Sequence, residues 1–485
     1  MELNDKGLFR QRAYIDGEWC EALSGRSDAV RNPANGALLG TVPAMGVAET
    51  RRAIDAAAQA LPDWRRRPAH ERGAVLRRWF ELVNEHREDL ARLMTAEQGK
   101  PLSEARGEIA YAASFLEWFA EEAKRVYGDT IASTSAHSRY LVIKEPVGVC
   151  AAITPWNFPS AMVTKKTAPA LAAGCTMVLK PAPDTPFSAL ALMELAVRAG
   201  VPRGVLSVVT GPAAQIGAEM TANPTVRKLT FTGSTATGRL LMQQCGATVK
   251  KMSMELGGNA PLIVFDDADL EAAVKGAIES KFRNMGQTCV CANRIYVHAG
   301  VHEAFVERLC AAVRALRVGD GAEPDVEQGP LINEAALDKV ETHVADALGR
   351  GAVLRLGGRR HARGANFYEP TVLTEVTADM LIARQETFGP VAAVFRFEDE
   401  EDVLRQANDT EYGLAAYVYT RDLRRTWRMM EGLEFGQVGI NASVISSAVA
   451  PFGGIKQSGI GREGSKYGLD DFLEMKYVCI GGLDA

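Results

Sequence analysis

Between residues 147 and 255, short apolar runs alternate with helical stretches, and few folds accommodate that rhythm. Segments 147–153, 176–179, 206–209 and 228–231 read as strands, and 161–173, 187–199 and 213–221 read as the helices between them. Parallel strands need long crossovers, which helices of this length supply. The pattern predicts an α/β fold in which helices cover a parallel sheet, with a nucleotide crevice at the strand C-termini.

A second α/β run extends from 261 to about 438, with strands near 261–264, 294–298, 391–396 and 414–419. Helices near 269–281, 300–316 and 421–431 separate them. Residues 47–125 read as helical. In 103–126, Ile109, Ala112, Leu116, Phe119 and Ala123 form an apolar stripe, and Glu117, Glu121 and Lys124 fall off it. Segment 140–144 reads as a strand, and the Gly-rich stretch 451–468 reads as loop. At roughly 150 residues per domain, 485 residues leave room for two α/β domains and a small extra arm.

Composition excludes several classes. With 47% hydrophobic and 24% charged residues the chain is neither disordered, collagen-like nor a coiled coil. A net charge of -5 gives no general attraction for phosphate backbones, so no nucleic-acid partner is expected. The charged first twenty residues contain no apolar core of a signal peptide. The apolar stretch 168–179 is too short to span a bilayer and contains Pro169 and Gly174. These features predict a cytoplasmic protein without a membrane partner. Eight cysteines are too sparse for a disulfide framework and are expected to be thiols.

Several motifs carry chemistry. Gly459, Gly461 and Gly464 match G-x-G-x-x-G, but no apolar strand leads into them and too few residues follow for a βαβ unit. In 229–238 a strand runs into a glycine turn (Gly233, Gly238) and a helix start near Ser234, where backbone N–H groups favour an anion. A Ser-capped structural turn reads equally well there. Cys289, in FRNMGQTCVC, is either a packed thiol or a nucleophile, and Arg283 is the local cation that would favour a thiolate. No His/Cys cluster stands at ligand spacing, so no metal is expected. Glu255 ends an apolar strand before a glycine pair, as either a solvated carboxylate or a general base in a crevice. Asn157, in PWNFP, either caps a turn or donates its amide to an oxyanion.

TPWNFP (154–159), LKPAPDTP (179–186), FTGST (231–235), ELGGN (255–259), GQTC (286–289), ETFGP (386–390) and PFGG (451–454) occur together, in order. This set resembles the aldehyde dehydrogenase superfamily over nearly the whole chain. The resemblance implies a Rossmann-like cofactor domain, a catalytic α/β domain and a small β oligomerisation arm. The expected boundaries are 1–126 with 146–255 for the cofactor domain, 256–440 for the catalytic domain, and 127–145 with 465–485 for the arm.

The resemblance also implies roles. Cys289 attacks the aldehyde carbon, Asn157 and the Cys289 N–H hold the oxyanion, and hydride leaves for a nicotinamide to give a thioester. Glu255 then activates the water that releases the acid, with Lys166 in support. Cofactor contacts fall to Thr154, Pro155, Trp156, Lys180, Ala182, Pro183, Gly233, Ser234, Gly238, Leu256, Glu386 and Phe388. Relatives that prefer NAD often carry Glu where this chain has Pro183, and a carboxylate there repels a 2′-phosphate. NADP is therefore expected alongside NAD, unless Asp184 turns inward.

The longer strings 282–294 and 451–468 resemble succinate-semialdehyde dehydrogenases, which implies an aldehyde with a distal carboxylate. Lys165, Arg283 and Ser446 match positions used for that carboxylate. Lys165 stands where relatives usually carry Arg, so bidentate pairing is lost there and glutarate semialdehyde becomes the rival substrate. A homodimer or homotetramer is implied. Cys291 suggests either a redox partner for Cys289 or a packed thiol. The rival functions are a catalytically silent homologue and a cofactor-free thiol esterase.

Overall fold

The computed structural model describes residues 2–483; Met1, Asp484 and Ala485, which the expected boundaries include, lie outside the described residues. Its larger sheet has eight strands, of which five are parallel: Val149–Ile153, Thr176–Lys180, Leu206–Val208, Val226–Thr232 and Lys251–Glu255. Numbered along the chain these five lie in the order 3-2-1-4-5. All residues of Thr176–Lys180 and Leu206–Val208 are buried, because helices cover both faces, and that burial is why such strands read as unbroken apolar runs. The order reverses beside Val149–Ile153, and loops leave the strand ends there in opposite directions, opening a crevice.

The second sheet has seven strands, in the order Val353–Leu356, Thr371–Thr374, Val391–Phe397, Ala292–His298, Ala260–Val264, Ala415–Tyr419, Gln437–Ile440. Only the first of these is antiparallel to its neighbour. A third, antiparallel sheet joins Ser138–Pro146 to Leu473–Gly481 on one side and Asp129–Ile131 on the other. Ile131, Ile143, Met475, Tyr477 and Ile480 are exposed on it.

Helices Val47–Arg66, Ala69–Glu85, Arg87–Gln98 and Leu102–Glu122 occupy the stretch read as helical, and the stripe Ile109, Ala112, Leu116, Phe119 faces the core. The apolar stretch 168–179 is the end of the wholly buried helix Ala161–Ala173, a left-handed turn at Gly174 (φ 93°) and a central strand. Among the described residues no helix is long and apolar enough to cross a membrane.

Several elements have no strong periodic signal in the sequence. Strands Ala13–Ile15, Glu18–Cys20, Ser27–Arg31 and Leu38–Pro43 are short or half exposed, so no apolar run marks them. Helices Glu334–Gly349 and Glu400–Asn408, and strands Val353–Leu356, Thr371–Thr374 and Gln437–Ile440, also lie outside the elements expected from sequence. The tail is not wholly loop: Gly459–Ile460 pairs antiparallel with Met254–Glu255 at the edge of the larger sheet. Gly459, Gly461 and Gly464 take left-handed φ angles of 136°, 85° and 69°, so backbone conformation accounts for these glycines without a phosphate.

Candidate active site

Four strand ends converge on the crevice. Ile153 lies opposite Lys180 and Phe231, and Thr232 lies opposite Glu255. The chain leaving Ile153 carries Pro155, Trp156 and Asn157, and the chain leaving Thr232 carries Gly233 and Ser234. Ser234 Oγ accepts from the Thr237 N–H at 3.3 Å and starts helix Thr235–Gly246. Together with Leu256, Gly257, Lys339, Glu386 and Phe388, these residues line a cavity of about 340 Å³. Its aromatic wall is Trp156 edge-on to Phe388, with ring centres 5.5 Å apart. The opening of a twelve-residue helix on this cavity supplies backbone N–H groups suited to an anionic group.

Cys289 lines this cavity and also a second one of about 300 Å³, and Phe158 and Met162 are shared with it. The second cavity holds Lys100, Glu104, Glu108, Tyr111, Arg283, Ser446 and Phe452. The half-buried thiol thus sits at the junction between the two. Burial first, then the nearby charges of Glu386 and Glu255, push the Cys289 thiol up to about 12 against the partial relief of Lys165 and Arg283. This environment favours the thiol over the thiolate.

The loop that carries Cys289 is held from both sides. Asn157 Nδ2 donates to Gln287 O at 3.0 Å, and Gln287 Oε1 accepts from the Ile332 N–H at 3.0 Å. Asn284 and Met285 take left-handed φ angles of 50° and 56° just upstream. The glycine pair after Glu255 permits close approach. A Cβ on Gly258 would stand 2.4 Å from Cys289 O, and one on Gly257 would stand 2.8 Å from Glu386 Oε2. Glu386 Oε1 accepts from the Gly258 N–H at 3.0 Å, and burial raises its carboxyl to about 7.

Glu255 lines neither cavity. Its side chain is buried behind them, and neither carboxylate oxygen has a hydrogen-bond partner among the described residues. A Cβ on Gly453 would lie 3.0 Å from Oε1. Burial, and then the charge of Glu463, hold its carboxyl well above the ordinary range, partly offset by Lys165, Lys166 and Arg462. Lys166 Nζ donates to Glu463 Oε1 at 2.5 Å and to Thr230 Oγ1 at 3.2 Å.

Lys165 does not line the second cavity itself but lies behind one of its walls, the Phe452 ring. Its ammonium is 3.3 Å from Glu463 Oε2 and 3.3 Å from the centre of the Phe452 ring. Arg283 and Ser446 do line that cavity, beside Tyr111. Arg283 Nε and the Tyr111 hydroxyl are buried without hydrogen-bond partners among the described residues.

The expected cofactor residues divide in the same way. Pro155, Trp156, Gly233, Ser234, Leu256, Glu386 and Phe388 line the first cavity. Gly238 does not: it faces Leu256, whose Cδ2 would lie 2.4 Å from an added Cβ, so it is a packing glycine between helix and strand. Thr154 N–H donates to Lys180 O at 3.1 Å, behind the cavity. Lys180 and Ala182 are buried and Pro183 is exposed where the next strand exits. Lys180 Nζ donates to Pro181 O at 2.9 Å, and burial pulls its ammonium down to about 8. Asp184 is half-buried beside Asn333. Cys291 is a free thiol whose Sγ donates to Lys281 O at 3.5 Å.

Sequence reasoning passed over Lys100, Glu108, Tyr111, Lys339 and Glu463. Charged residues on helices and in Gly-rich loops are usually solvated, so nothing local marked Lys100, Glu108 and Glu463 for burial. Among the described residues no cluster of His, Cys, Asp or Glu is arranged to hold a metal ion.

Residues 19–478 match the aldehyde dehydrogenase family. The sequence is 64% identical over 481 residues to an NADP-dependent succinate-semialdehyde dehydrogenase of Escherichia coli, covering 99% of this chain and all of that one. It is 63% identical over 483 residues to a glutarate-semialdehyde dehydrogenase of Pseudomonas aeruginosa, with both chains fully covered. The crystal structure of succinate-semialdehyde dehydrogenase from Burkholderia pseudomallei superimposes with a TM-score of 0.99 at 62% identity, over 99% of this chain and all of that one.

Proposed function

Because the chain belongs to the aldehyde dehydrogenase family, we propose that it oxidises an aldehyde bearing a distal carboxylate, succinate semialdehyde foremost, with NADP or NAD. The observation that carries this reading is the junction itself. One thiol is shared by a cavity with a helix N-terminus on its wall and a cavity holding an arginine whose Nε has no hydrogen-bond partner among the described residues.

The residues of the first cavity suit a dinucleotide. Gly233, Ser234 and the helix start would take the phosphates, Glu386 a ribose, and Trp156 and Phe388 the aromatic end. Lys180, Ala182 and Pro183 would meet the adenosine side, where no carboxylate occupies position 183. Asp184, half-buried beside Asn333, has its charge offset by Lys180, and NADP use is supported by the NADP-dependent Escherichia coli relative. The bound cofactor supplies the hydride acceptor. The protein's own residues do the rest. Cys289 releases its thiol proton to solvent through the cavity, its sulfur then bonds to the aldehyde carbon, and Asn157 with the Cys289 N–H stabilises the developing oxyanion. Glu255, turned from its buried position toward the resulting thioester, takes a proton from the attacking water. Lys166, through Glu463, sets the charge around Glu255.

Arg283, with Ser446 and Tyr111, would pair with the distal carboxylate, since a guanidinium fork matches that group. Lys165 plays no direct part in this reading. With one guanidinium instead of two cations at the carboxylate, glutarate semialdehyde remains a second substrate, as the Pseudomonas aeruginosa relative suggests. The exposed apolar side chains of the three-stranded arm support a homodimer or homotetramer.

A panel of aldehydes run with each cofactor, followed at the absorbance of the reduced nicotinamide, tests the assignment. Succinate and glutarate semialdehydes are expected to exceed uncharged aldehydes of equal length in kcat/KM by at least about tenfold, the worth of one charge-assisted contact. Equal turnover of neutral aldehydes, a preference for NAD above a hundredfold, or ester hydrolysis without reduced cofactor would overturn it. Arg283→Ala should raise KM for succinate semialdehyde by about ten- to a hundredfold while leaving cofactor affinity in place. An unchanged KM would remove Arg283 from the carboxylate site.

A further inference from the structure

One buried ion pair outside the assigned residues touches the site at two points. Lys100 lies between helices Arg87–Gln98 and Leu102–Glu122, and Glu108 lies on the second of these. Both side chains are 1% exposed. Lys100 Nζ donates to Glu108 Oε2 at 2.5 Å and to the backbone carbonyl of Asn157 at 2.7 Å. The other Glu108 oxygen accepts from the N–H groups of Ser160 at 2.9 Å and Ala161 at 3.1 Å. The Phe158 ring lies 4.1 Å from the ammonium. Segment 157–161 is therefore gripped at both ends by one charge pair.

A second donor to Asn157 O is Asn284 Nδ2, at 3.0 Å. Asn284 Oδ1 in turn accepts from Gln98 Nε2 at 3.0 Å, and Gln98 Oε1 accepts from the Lys100 N–H at 2.9 Å. Among the described residues, one donor to the Asn157 carbonyl is thus Lys100 itself, and the other, Asn284, is tied to Lys100 through Gln98 as well as to Glu104. Stability alone gives little reason to bury two charges here, because well-packed apolar residues commonly do as well.

We propose that Lys100 and Glu108 are a positioning pair for Asn157. They fix the 157–161 backbone so that the Asn157 amide is aimed at the oxyanion before substrate arrives. The inference rests on the oxyanion role proposed for Asn157. Preorganised donors stabilise charge only when held in place, and small displacements are costly in rate.

The test is a double-mutant cycle on the full-length enzyme. Lys100→Gln/Glu108→Gln removes both charges together, so neither is left buried alone. In the wild-type background it is expected to lower kcat by about ten- to a hundredfold, the cost of a misplaced catalytic group. In the Asn157→Ala background the same change is expected to cost less than about twofold, because no amide remains to be aimed. Loss of packing alone would instead slow both backgrounds equally, and that result, or no slowing in wild type, would overturn the proposal. Full activity of Asn157→Ala by itself would withdraw the oxyanion role and the clamp with it. Glu108→Gln keeps an acceptor for the Ser160 and Ala161 N–H groups and serves as the milder variant, should the double one fail to fold. It should show the same background dependence with a smaller effect, and equal slowing in both backgrounds would again overturn the pair.

Discussion

Cys289→Ser is expected to reduce the rate of reduced-cofactor formation by about 10⁴-fold or more, on the scale of losing the nucleophile in a covalent mechanism. The substitution changes one atom, so both cavities and the junction between them should persist, and binding of oxidised cofactor should be retained. The loss follows from proton chemistry. The environment already pushes a thiol up to about 12 through burial and the charges of Glu386 and Glu255. A serine hydroxyl is a far weaker acid than a thiol, so an alkoxide in that place would be vanishingly rare. A hydroxyl adduct would also yield an ester, which resists hydrolysis more than a thioester does. Stopped-flow absorbance with succinate semialdehyde measures this directly. Reduced cofactor appearing at the wild-type rate from the serine variant would end the covalent reading of the site.

Glu255→Gln should separate the two halves of the reaction. Steady-state turnover is expected to fall by about 10²- to 10³-fold, the usual worth of a general base. A rapid burst near one equivalent of reduced cofactor per active site should remain, because acylation depends on Cys289 and only hydrolysis of the thioester needs Glu255. The wild-type pH profile carries the same information. The Glu255 carboxyl is held well above its ordinary range, so the basic carboxylate grows in only as pH rises through that elevated value. Deacylation-limited kcat should climb with pH in the wild type, and this limb should vanish in Glu255→Gln. The stability consequence has the opposite sense. A fold that favours the protonated form is stabilised by it below the unfolded-state pKa and loses that contribution as pH rises through the folded-state value. The glutamine variant should therefore match wild type in Tm at low pH and exceed it at high pH. A variant with neither a burst nor the lost limb would remove Glu255 from deacylation.

Much of this site was legible before any coordinates. Asn157, Gly233, Ser234, Glu386 and Cys289 each lie within a few residues of a strand end or a loop start, and short motifs record such positions because the local backbone decides them. Gly238 shows the same rule from its other side. The resemblance implied a cofactor contact for it, but a helix advances about 100° per residue and turned it onto Leu256. The motif located the helix start correctly and left unresolved which face met the ligand.

Side-chain direction over longer range was not legible. Neither Lys165 nor Glu255 lines a cavity; both belong to a charge cluster completed by Glu463 from the distant Gly-rich tail. The Lys100–Glu108 pair was invisible for the same reason. Its partner is the backbone of Asn157, 57 residues away from Lys100, and a backbone carbonyl carries no residue identity.

The sequence by itself determined the alternating strand–helix order and the crevice at the strand ends, because periodicity and turn chemistry are local and each element writes its own signal; the nucleophile role of Cys289 came from the family resemblance and not from its local pattern. Only the tertiary structure decided which charges face one another inside the protein. Burial and electrostatic pairing depend on distances between segments remote in the chain, and in a low-dielectric interior those distances determine whether a carboxyl is a base, an acid or half of a clamp.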